Sequence, residues 1–335
     1  MIVNYIGSKL KLLNFIYDTV SNNVEQIENK SFCDLFAGSG VVGSFFKQYT
    51  KSVSANDLEY YSYVLNRHYL MNGDMDTSII TYLNGIPPKK GFIFEHYAHT
   101  GMAGRQFFSA ENAEKIDAIR SEIEIMHTAR SISEATYYFV LASLLESADK
   151  VANTTSVYGA YLKEFKTAAL KEFVLRPAKS YQTDNIINNR VYNEDAGTLI
   201  KLISGDVLYL DPPYNQRQYG ANYHLLNTIA RYDIQGFRPR GVTGLRPYER
   251  SNYCKKRLAL TTLDALLRDA QFSDVFLSYN DEGLIAPSEI AMVMRRYGDY
   301  SVAEQNYKRF KADNADNRVY KTGGTTEHIH ILKKR

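Results

Sequence analysis

A carboxylate, two prolines and a tyrosine follow a short apolar run in the second half of the chain. The run is Val207 to Leu210, and directly after it come Asp211, Pro212, Pro213 and Tyr214. An unbroken apolar run of this length predicts a strand that is buried on both faces of a parallel sheet. Two prolines cannot continue the strand, because they lack the amide hydrogen and have a fixed φ. A carboxylate and a ring are thus left at the carboxyl end of the strand, where open α/β sheets bind ligands.

Asp211 and the carbonyl of Pro212 could together accept the two hydrogens of an amine on an aromatic ring. Such an amine is a poor nucleophile because its lone pair is delocalised. The two acceptors, which we call the amine clamp, would turn that lone pair toward an electrophilic methyl group. Tyr214 would offer a stacking face to an extruded base. Catalysis would rest on positioning and electrostatics, without a metal or a covalent intermediate. The alternative interpretation is a tight turn in which Asp211 caps and Tyr214 packs.

A glycine-rich loop between a predicted strand and a predicted helix is the second candidate. The strand, 31–36, leads into Gly38 and Gly40, whose lack of a side chain would let a nucleoside lie against the backbone. Asp57, at the end of the next predicted strand, could accept ribose hydroxyl groups. This pattern fits NAD and S-adenosylmethionine equally, and a tight turn without a ligand is a third interpretation. Asp34 favours S-adenosylmethionine, since a carboxylate attracts a cationic amino group and repels a pyrophosphate.

Two further polar segments could complete a cofactor site. Near the N-terminus, Gly7 permits a close backbone approach and Lys9 offers a cation to a carboxylate, although an ordinary helix start has the same pattern. Glu194 and Asp195 follow a predicted strand at Val191–Tyr192. An acid at that position could bind an adenine amine, and a solvated turn fits the composition equally well.

The composition is that of a chain with a substantial core and no extreme charge. Of its 335 residues, 44% are hydrophobic and 23% are charged, and the formal net charge of +3 does not by itself indicate nucleic acid. Cys33 and Cys254 provide neither a disulfide framework nor a metal-ligand set, which favours a reducing compartment. No apolar run approaches the roughly 20 residues of a membrane helix, and Lys9 and Lys11 interrupt any signal-peptide core. We therefore expect a cytoplasmic protein with no membrane partner.

The pattern of predicted elements changes twice along the chain. Residues 1–70 contain a strand–helix–strand unit and residues 189–335 contain further strands, so together they predict an α/β catalytic domain. Residues 71–188 are mostly helical and predict an insert that recognises the target.

Residues 236–257 form a basic, irregular segment with glycine and proline interspersed. Its candidate DNA-binding residues are Arg238, Arg240, Arg246, Arg250, Lys255 and Lys256. These side chains could contact phosphate groups, or they could form a solvated charged face. Arg217 and Gln218, just after the Asp-Pro-Pro-Tyr motif, can read base edges, and Arg217 could equally neutralise a local carboxylate.

The order of these motifs resembles that of the adenine-specific DNA methyltransferases of the Dam-like alpha group. The matching motifs are Tyr5-Ile6-Gly7-Ser8-Lys9, Phe36-Ala37-Gly38-Ser39-Gly40, Asp57, the insert, and Asp211-Pro212-Pro213-Tyr214. The resemblance covers nearly the whole chain. Two stretches, 144–153 and 214–219, are similar to the branch found in restriction–modification systems. We therefore expect a bacterial or phage-encoded enzyme, with a restriction endonuclease acting separately.

The resemblance implies a fold and a set of roles. The fold is a Rossmann-like, seven-stranded S-adenosylmethionine-dependent methyltransferase sheet, whose last strands are 276–280 and one near His330. The implied cofactor pocket is lined by Tyr5, Lys9, Phe36, Gly38, Asp57 and Asp195, and the target adenine of double-stranded DNA is held by Asp211, Pro212 and Tyr214. S-adenosylhomocysteine would be the product. The family often has a bulky apolar residue beside the acid of its third motif, where this chain has Ala196.

Other functions are compatible with parts of the sequence. The exocyclic amine of cytosine, at N4, or that of an RNA adenine would fit the same amine clamp of Asp211 and the Pro212 carbonyl. The order of the motifs nevertheless favours adenine in DNA. A nicotinamide-dependent dehydrogenase would explain the glycine loop, but would leave Asp211, Tyr214 and the basic segment without a role. A non-catalytic DNA-binding protein would need neither a nucleoside pocket nor a carboxylate at the strand end.

Overall fold

A computed structural model describes Val3, Tyr5 and residues 7–71, 73–179, 188–307 and 325–335. Ile6 of the N-terminal motif and the end of the predicted insert, at 180–187, lie outside these ranges. The described residues form two compact units. The first unit takes its residues from 1–7, 59–182 and 219–249, and the second takes them from 8–58, 183–218 and 250–335.

The second unit contains a seven-stranded sheet. Its strands are β1 (Ser31–Asp34), β2 (Ser52–Asn56), β3 (Arg190–Tyr192), β4 (Ser204–Leu210), β5 (Gln271–Asn280), β6 (Gly298–Tyr307) and β7 (Thr325–Lys334). They are arranged in the order β3-β2-β1-β4-β5-β7-β6. Strands β1 to β5 run parallel to one another, and β7 is antiparallel to both β5 and β6. The predicted α/β fold class with a Rossmann-like, seven-stranded sheet is confirmed.

β4 lies at the centre of the sheet, as its apolar run predicts. Val207 pairs in register with Phe32 of β1, and Leu210 pairs with Leu277 of β5. The side chains from Val207 to Leu210 are fully buried. Because β1 to β4 are parallel, the residues that follow each of them lie at one edge of the sheet. That edge carries the glycine loop, Asp57 and Asp211.

β6 has no counterpart among the predicted strands. Its residues from Asp299 to Asn306 are exposed or only half-buried, and among the described strands it pairs with β7 alone. An edge strand of this kind lacks the apolar alternation by which a half-buried strand is recognised in a sequence.

Helices account for most of the other regular structure. They are α1 (Leu13–Asn23), α2 (Val41–Phe46), α3 (Tyr60–Leu70), α4 (Ile79–Gly85), α5 (Phe92–Tyr97), α6 (Ala110–Thr128), α7 (Glu134–Val151), α8 (Ala196–Leu199), α9 (Tyr219–Asn222), α10 (His224–Arg231), α11 (Ala259–Asp269) and α12 (Pro287–Met294). No helix in the described ranges is long and apolar enough to cross a membrane.

The first unit is built from helices around a separate apolar core. α7 runs through this core with most of its side chains buried, and α3, α6 and α10 pack against it. Ser109 and Ser133 cap α6 and α7 by accepting hydrogen bonds from Asn112 N and Thr136 N. This unit takes in α3 and residues 219–249 as well as residues 71 and 73–179. The assignment of target recognition to residues 71–188 stays a prediction.

Candidate active site

Asp211 follows β4 directly and lies beside two other charged side chains of the second unit. Its Oδ1 is 3.3 Å from Lys9 Nζ, and Lys9 Nζ is 2.7 Å from Glu327 Oε1. The Lys9 and Glu327 side chains are almost wholly buried, whereas 21% of the Asp211 side chain is exposed. Asp211 is thus the member of this cluster that a ligand can reach.

The pKa values in this cluster follow from burial and charge. Burial raises the pKa of Asp211 to about 6, with Lys9 opposing the rise and Glu327 adding to it. Burial alone would lower the pKa of Lys9, but the carboxylates of Asp211 and Glu327 hold it well above its usual value. Lys9 therefore stays charged, and Asp211 is largely ionised at neutral pH.

The rest of the Asp-Pro-Pro-Tyr motif is held by the turn that follows β5. Pro212 is buried and Pro213 is half-buried. The Tyr214 carbonyl accepts a 2.9 Å hydrogen bond from Leu284 N, and the Tyr214 ring meets the edge of Tyr279 at a centroid distance of 6.5 Å. Tyr214 remains partly exposed, so its ring has a fixed backbone and an accessible surface.

The glycine loop begins where β1 ends, at Asp34, two residues earlier than the sequence predicts. Gly38 and Gly40 have φ values of 50° and 75°, in the left-handed region that favours glycine. Gly38 N donates a 2.7 Å hydrogen bond to Asp57 Oδ2, and Ala37 N donates to the Asn56 carbonyl at 2.9 Å. Loop and acid are thereby held together before α2 begins at Val41.

Asp34 is buried beneath this loop, and one of its oxygens lacks a hydrogen bond of ordinary geometry. Its Oδ2 accepts a 3.1 Å hydrogen bond from Gly43 N, while Oδ1 is buried without a hydrogen bond to a described residue. Burial and the nearby charge of Asp211 raise the pKa of Asp34 to about 8, although the Gly43 and Phe36 N–H groups favour the charged form. An unsatisfied acid below a glycine loop fits a ligand with a cationic amino group, which supports the fit of S-adenosylmethionine to these residues.

The other predicted cofactor residues of the second unit surround the same sheet edge. Phe36 is half-buried and its ring meets Tyr253 edge-on at 5.2 Å. Asp195 is exposed and caps α8, because its Oδ1 accepts a 3.0 Å hydrogen bond from Thr198 N. Ala196 is buried as the first residue of that helix. The carboxylate of Asp195 thus has one structural hydrogen bond already.

Tyr5 belongs to the first unit. Its ring stacks on Tyr223 at a centroid distance of 4.9 Å and on Tyr219 at 5.5 Å. Its role in the cofactor pocket stays a prediction.

The basic segment 236–257 is divided between the units. In the first unit, Arg238 and Arg240 are exposed, and Arg240 pairs with Leu245 across a short hairpin. Arg246 differs from them, because it is buried, pairs with Asp233 at 2.7 Å and donates to the Asn227 carbonyl. Its guanidinium thus holds the fold together and is not presented to a ligand.

The hairpin is fixed to the helices of the first unit by a second arginine that the sequence does not single out. Arg105 donates to the carbonyls of His96, Gly241 and Val242 at 3.0–3.1 Å. Gly244 has a φ of 69°, and its carbonyl accepts a 2.7 Å hydrogen bond from the Tyr97 hydroxyl. An open groove of about 1050 Å³ runs beside the hairpin and is lined in part by Arg105, Arg238 and Arg240.

In the second unit, Arg250, Lys255 and Lys256 are exposed, and so is Arg217. Gln218 is engaged, because its side-chain amide donates to the Ser251 carbonyl at 3.2 Å and accepts from Ser251 N at 2.8 Å. Of the two residues predicted to read bases, Arg217 is exposed, whereas the amide of the half-buried Gln218 is already hydrogen-bonded to Ser251.

Two residues of the site were not found from the sequence. Asn56 is buried, donates to the carbonyls of Leu35 and Glu194 and accepts from Glu194 N, so it joins the ends of three strands. Glu327 completes the cluster around Lys9. Each is a polar residue in or at the end of an apolar strand, and that is the signal that could have identified them. Within the described ranges, no group of three or more His, Cys, Asp or Glu residues is placed to hold a metal ion.

The chain is similar to known proteins over most of its length. A family model described as D12 class N6 adenine-specific DNA methyltransferase matches residues 5–293. Type II methyltransferase M.NlaIII of Neisseria lactamica is 52% identical, and the match covers 99% of both chains. Type II methyltransferase M.CviAII of Paramecium bursaria Chlorella virus 1 is 39% identical, over 92% of this chain and 93% of its own. Type II methyltransferase M.FokI of Planomicrobium okeanokoites is 34% identical, over 92% of this chain and 50% of its own.

The family match extends over both units and includes the glycine loop, Asp57 and the Asp-Pro-Pro-Tyr motif. The fold agrees with it, since these motifs follow β1, β2 and β4 at one edge of the sheet. On this basis, the chain belongs to the family of D12 class N6 adenine-specific DNA methyltransferases.

Proposed function

We propose that the protein transfers the methyl group of S-adenosylmethionine to N6 of an adenine extruded from double-stranded DNA, at a specific sequence. We further propose that it is the modification enzyme of a type II restriction–modification system, acting separately from its endonuclease. The names of the relatives in Neisseria lactamica and the Chlorella virus support this assignment. One observation supports this chemistry most directly. The accessible carboxylate of Asp211 lies after β4, at the same edge of the sheet as Asp34, whose buried Oδ1 makes no hydrogen bond to a described residue.

S-adenosylmethionine, when bound, supplies an electrophilic methyl group on a sulfonium. We assign Asp34 to the amino group of the cofactor, because a cation would satisfy its buried Oδ1. Asp57 would accept a ribose hydroxyl, and the φ values of Gly38 and Gly40 open the loop to a nucleoside. The remaining proposed cofactor residues are Tyr5, Lys9, Phe36 and Asp195. Lys9 is already paired with Asp211 and Glu327, so we assign it to the catalytic motif first.

The chain's own residues orient the adenine. Asp211 and the Pro212 carbonyl would accept the two N6 hydrogens, so the lone pair of N6 is directed away from the ring plane. Pro213 keeps the backbone extended after β4, and Tyr214 would stack on the extruded base. Once N6 carries the methyl group it has an extra proton, which the ionised carboxylate of Asp211 can accept.

DNA binding is assigned to the exposed basic residues. Arg238, Arg240, Arg250, Lys255 and Lys256 would contact phosphates, and Arg217 would reach a base edge. Arg246 and Gln218 are left out of this set, because each is already engaged by its own unit.

The test is a methyl-transfer assay with purified protein, S-adenosylmethionine carrying a labelled methyl group, and unmethylated double-stranded DNA. Sequencing of the product would locate the modified base and its surrounding sequence. We expect label in N6-methyladenine at one short sequence; label in cytosine N4, or in RNA alone, would contradict the assignment.

The matched variant is Asp211→Asn, which keeps the size of the side chain and removes its charge. We expect methyl transfer to be lost while the affinity for S-adenosylhomocysteine, measured by calorimetry, changes by less than about 10-fold. Undiminished turnover in Asp211→Asn would contradict the catalytic role.

A further inference from the structure

We propose that Glu327 is a positioning residue for methyl transfer, which holds Lys9 so that Asp211 keeps an oxygen for the amine of the target base. The inference rests on the proposed function, because it assigns Glu327 a part in the reaction at Asp211. Glu327 lies on β7, two strands away from β4 in the sheet, and no motif of the family match includes it, since that match ends at residue 293.

The contacts of Glu327 are directed at Lys9. Its Oε1 accepts a 2.7 Å hydrogen bond from Lys9 Nζ and a second hydrogen bond from the Ser278 hydroxyl. Its Oε2 is buried and has no hydrogen bond to a described residue, and only 1% of the Glu327 residue is exposed. A buried carboxylate with an unsatisfied oxygen costs free energy, so its presence here is better explained by a role in the reaction than by a contribution to stability.

The distances indicate what that role is. Lys9 Nζ lies closer to Glu327 Oε1, at 2.7 Å, than to Asp211 Oδ1, at 3.3 Å. A single ammonium shared by two carboxylates leaves the cluster with a net negative charge. Asp211 is therefore oriented by Lys9 without being fully neutralised, and its exposed part can accept hydrogens from an amine.

The fold fixes Glu327 in this place. Glu327 pairs in register with Asn280 of β5, and Leu277 of β5 pairs with Leu210 just before Asp211. The path from Glu327 to Asp211 therefore crosses strands that are hydrogen-bonded along their length, and such a scaffold holds side chains more firmly than a loop.

The experiment compares Glu327→Gln with the wild-type enzyme across a range of pH. Glutamine keeps the size of the side chain and an oxygen for Ser278, but removes the charge that competes for Lys9. Lys9 would then pair with Asp211 alone, so we expect kcat to fall by up to about 100-fold, with the KM values for DNA and S-adenosylmethionine nearly unchanged. The acidic limb of the kcat profile should move to lower pH, because an anion that raises the pKa of Asp211 is lost.

The charged and titratable groups around Asp211 are Lys9, Glu327, Asp34, Tyr209 and Tyr214. Only Glu327 is changed in this variant, so a shifted limb reports on its charge. Glu28→Gln, which removes a charge from an exposed position of the second unit, is the matched control and should behave as wild type.

An unchanged kcat and an unchanged acidic limb in Glu327→Gln would overturn the inference and leave the proposed function intact. Equal losses of kcat and of S-adenosylhomocysteine affinity would also overturn it, since they indicate a merely structural role. If Glu327→Gln does not fold, Glu327→Asp provides the test, because it keeps the charge and shortens the side chain. A kcat below that of wild type with an acidic limb at the wild-type pH supports the positioning role, and wild-type kinetics contradict it. A wild-type enzyme that transfers no methyl group to DNA would refute the proposed function, and the inference with it.

Discussion

Gly38 N donates a 2.7 Å hydrogen bond to Asp57 Oδ2, so the loop after β1 is tied directly to the acid after β2. The carboxylate that we assign to a ribose hydroxyl also sets the path of the loop on which the nucleoside would lie. A change at Asp57 therefore acts on cofactor binding in two ways.

We predict that Asp57→Ala weakens binding of S-adenosylhomocysteine by roughly 10- to 100-fold, the equivalent of a lost hydrogen bond to a charged group. Asp57→Asn should lose less, because its amide oxygen can still accept from Gly38 N. Calorimetric titration measures both, and Asp18→Ala on the exposed surface of α1 is the control. Equal affinities in Asp57→Ala and wild type would exclude Asp57 from the cofactor site.

Cofactor binding should depend on pH through Asp34. Its pKa of about 8 in the free protein means that the carboxyl is largely protonated at neutral pH. A bound ammonium group favours the ionised form, so binding releases a proton and the affinity rises with pH up to about pH 8. Titrations in two buffers of different ionisation enthalpy would count this proton. Asp34→Asn should bind the cofactor weakly at every pH and release no proton on binding. If this variant releases as many protons as wild type, the proton comes from another group.

The same substitution should stabilise the protein without its cofactor. The carboxyl of Asp34 ionises near pH 3.8 in the unfolded chain and near 8 in the folded one. The folded state therefore loses stability as pH rises from the first value through the second. Asp34→Asn removes that loss and can keep the hydrogen bond from Gly43 N. We expect a higher melting temperature than wild type at pH 8 and a smaller difference at about pH 4; a lower melting temperature at both would contradict the sign.

DNA affinity should report on the exposed arginines of the hairpin. Each phosphate contact changes the slope of log Kd against log salt concentration by about 0.9. Replacing Arg238 and Arg240 together by alanine should thus lower the slope by about 2, which fluorescence anisotropy with a labelled duplex can resolve. Arg335→Ala, exposed in the second unit, is a control for net charge. A slope like that of wild type would mean that the hairpin arginines do not contact phosphates.

Arg246→Ala should have a different effect. Its guanidinium is buried between Asp233 and the Asn227 carbonyl and lies over the Phe237 ring, so its removal leaves buried acceptors unsatisfied. We expect a lower melting temperature together with a slope in the salt titration that is close to wild type. If the slope of log Kd against log salt concentration falls while the melting temperature stays at the wild-type value, Arg246 contacts DNA after all.

The parts of the fold that could be predicted are those with a local signature. β4 contains an apolar run that is followed by Asp211 and two prolines, and the loop at Gly38 and Gly40 needs the backbone freedom of glycine, so both were found from the sequence. β6 was missed because an exposed edge strand has no apolar face. The partner of Lys9 was missed for another reason: Glu327 is 318 residues away in the chain, and no local pattern encodes a pairing that only the closed sheet creates. Arg246 and Gln218 look like their exposed neighbours in sequence, and only burial and hydrogen bonds distinguish them.

The reciprocal hydrogen bonds between Gln218 and Ser251 have a consequence for how far a change in residues 219–249 reaches. The chain leaves the second unit after Gln218 and re-enters it at Arg250, and the amide of Gln218 holds these two points together. Between them, Tyr223, Leu225 and Ile229 are buried in the core of the first unit. We therefore expect a substitution at one of these three residues to disturb the packing of that core, while the backbone next to the Asp-Pro-Pro-Tyr motif stays anchored within the second unit.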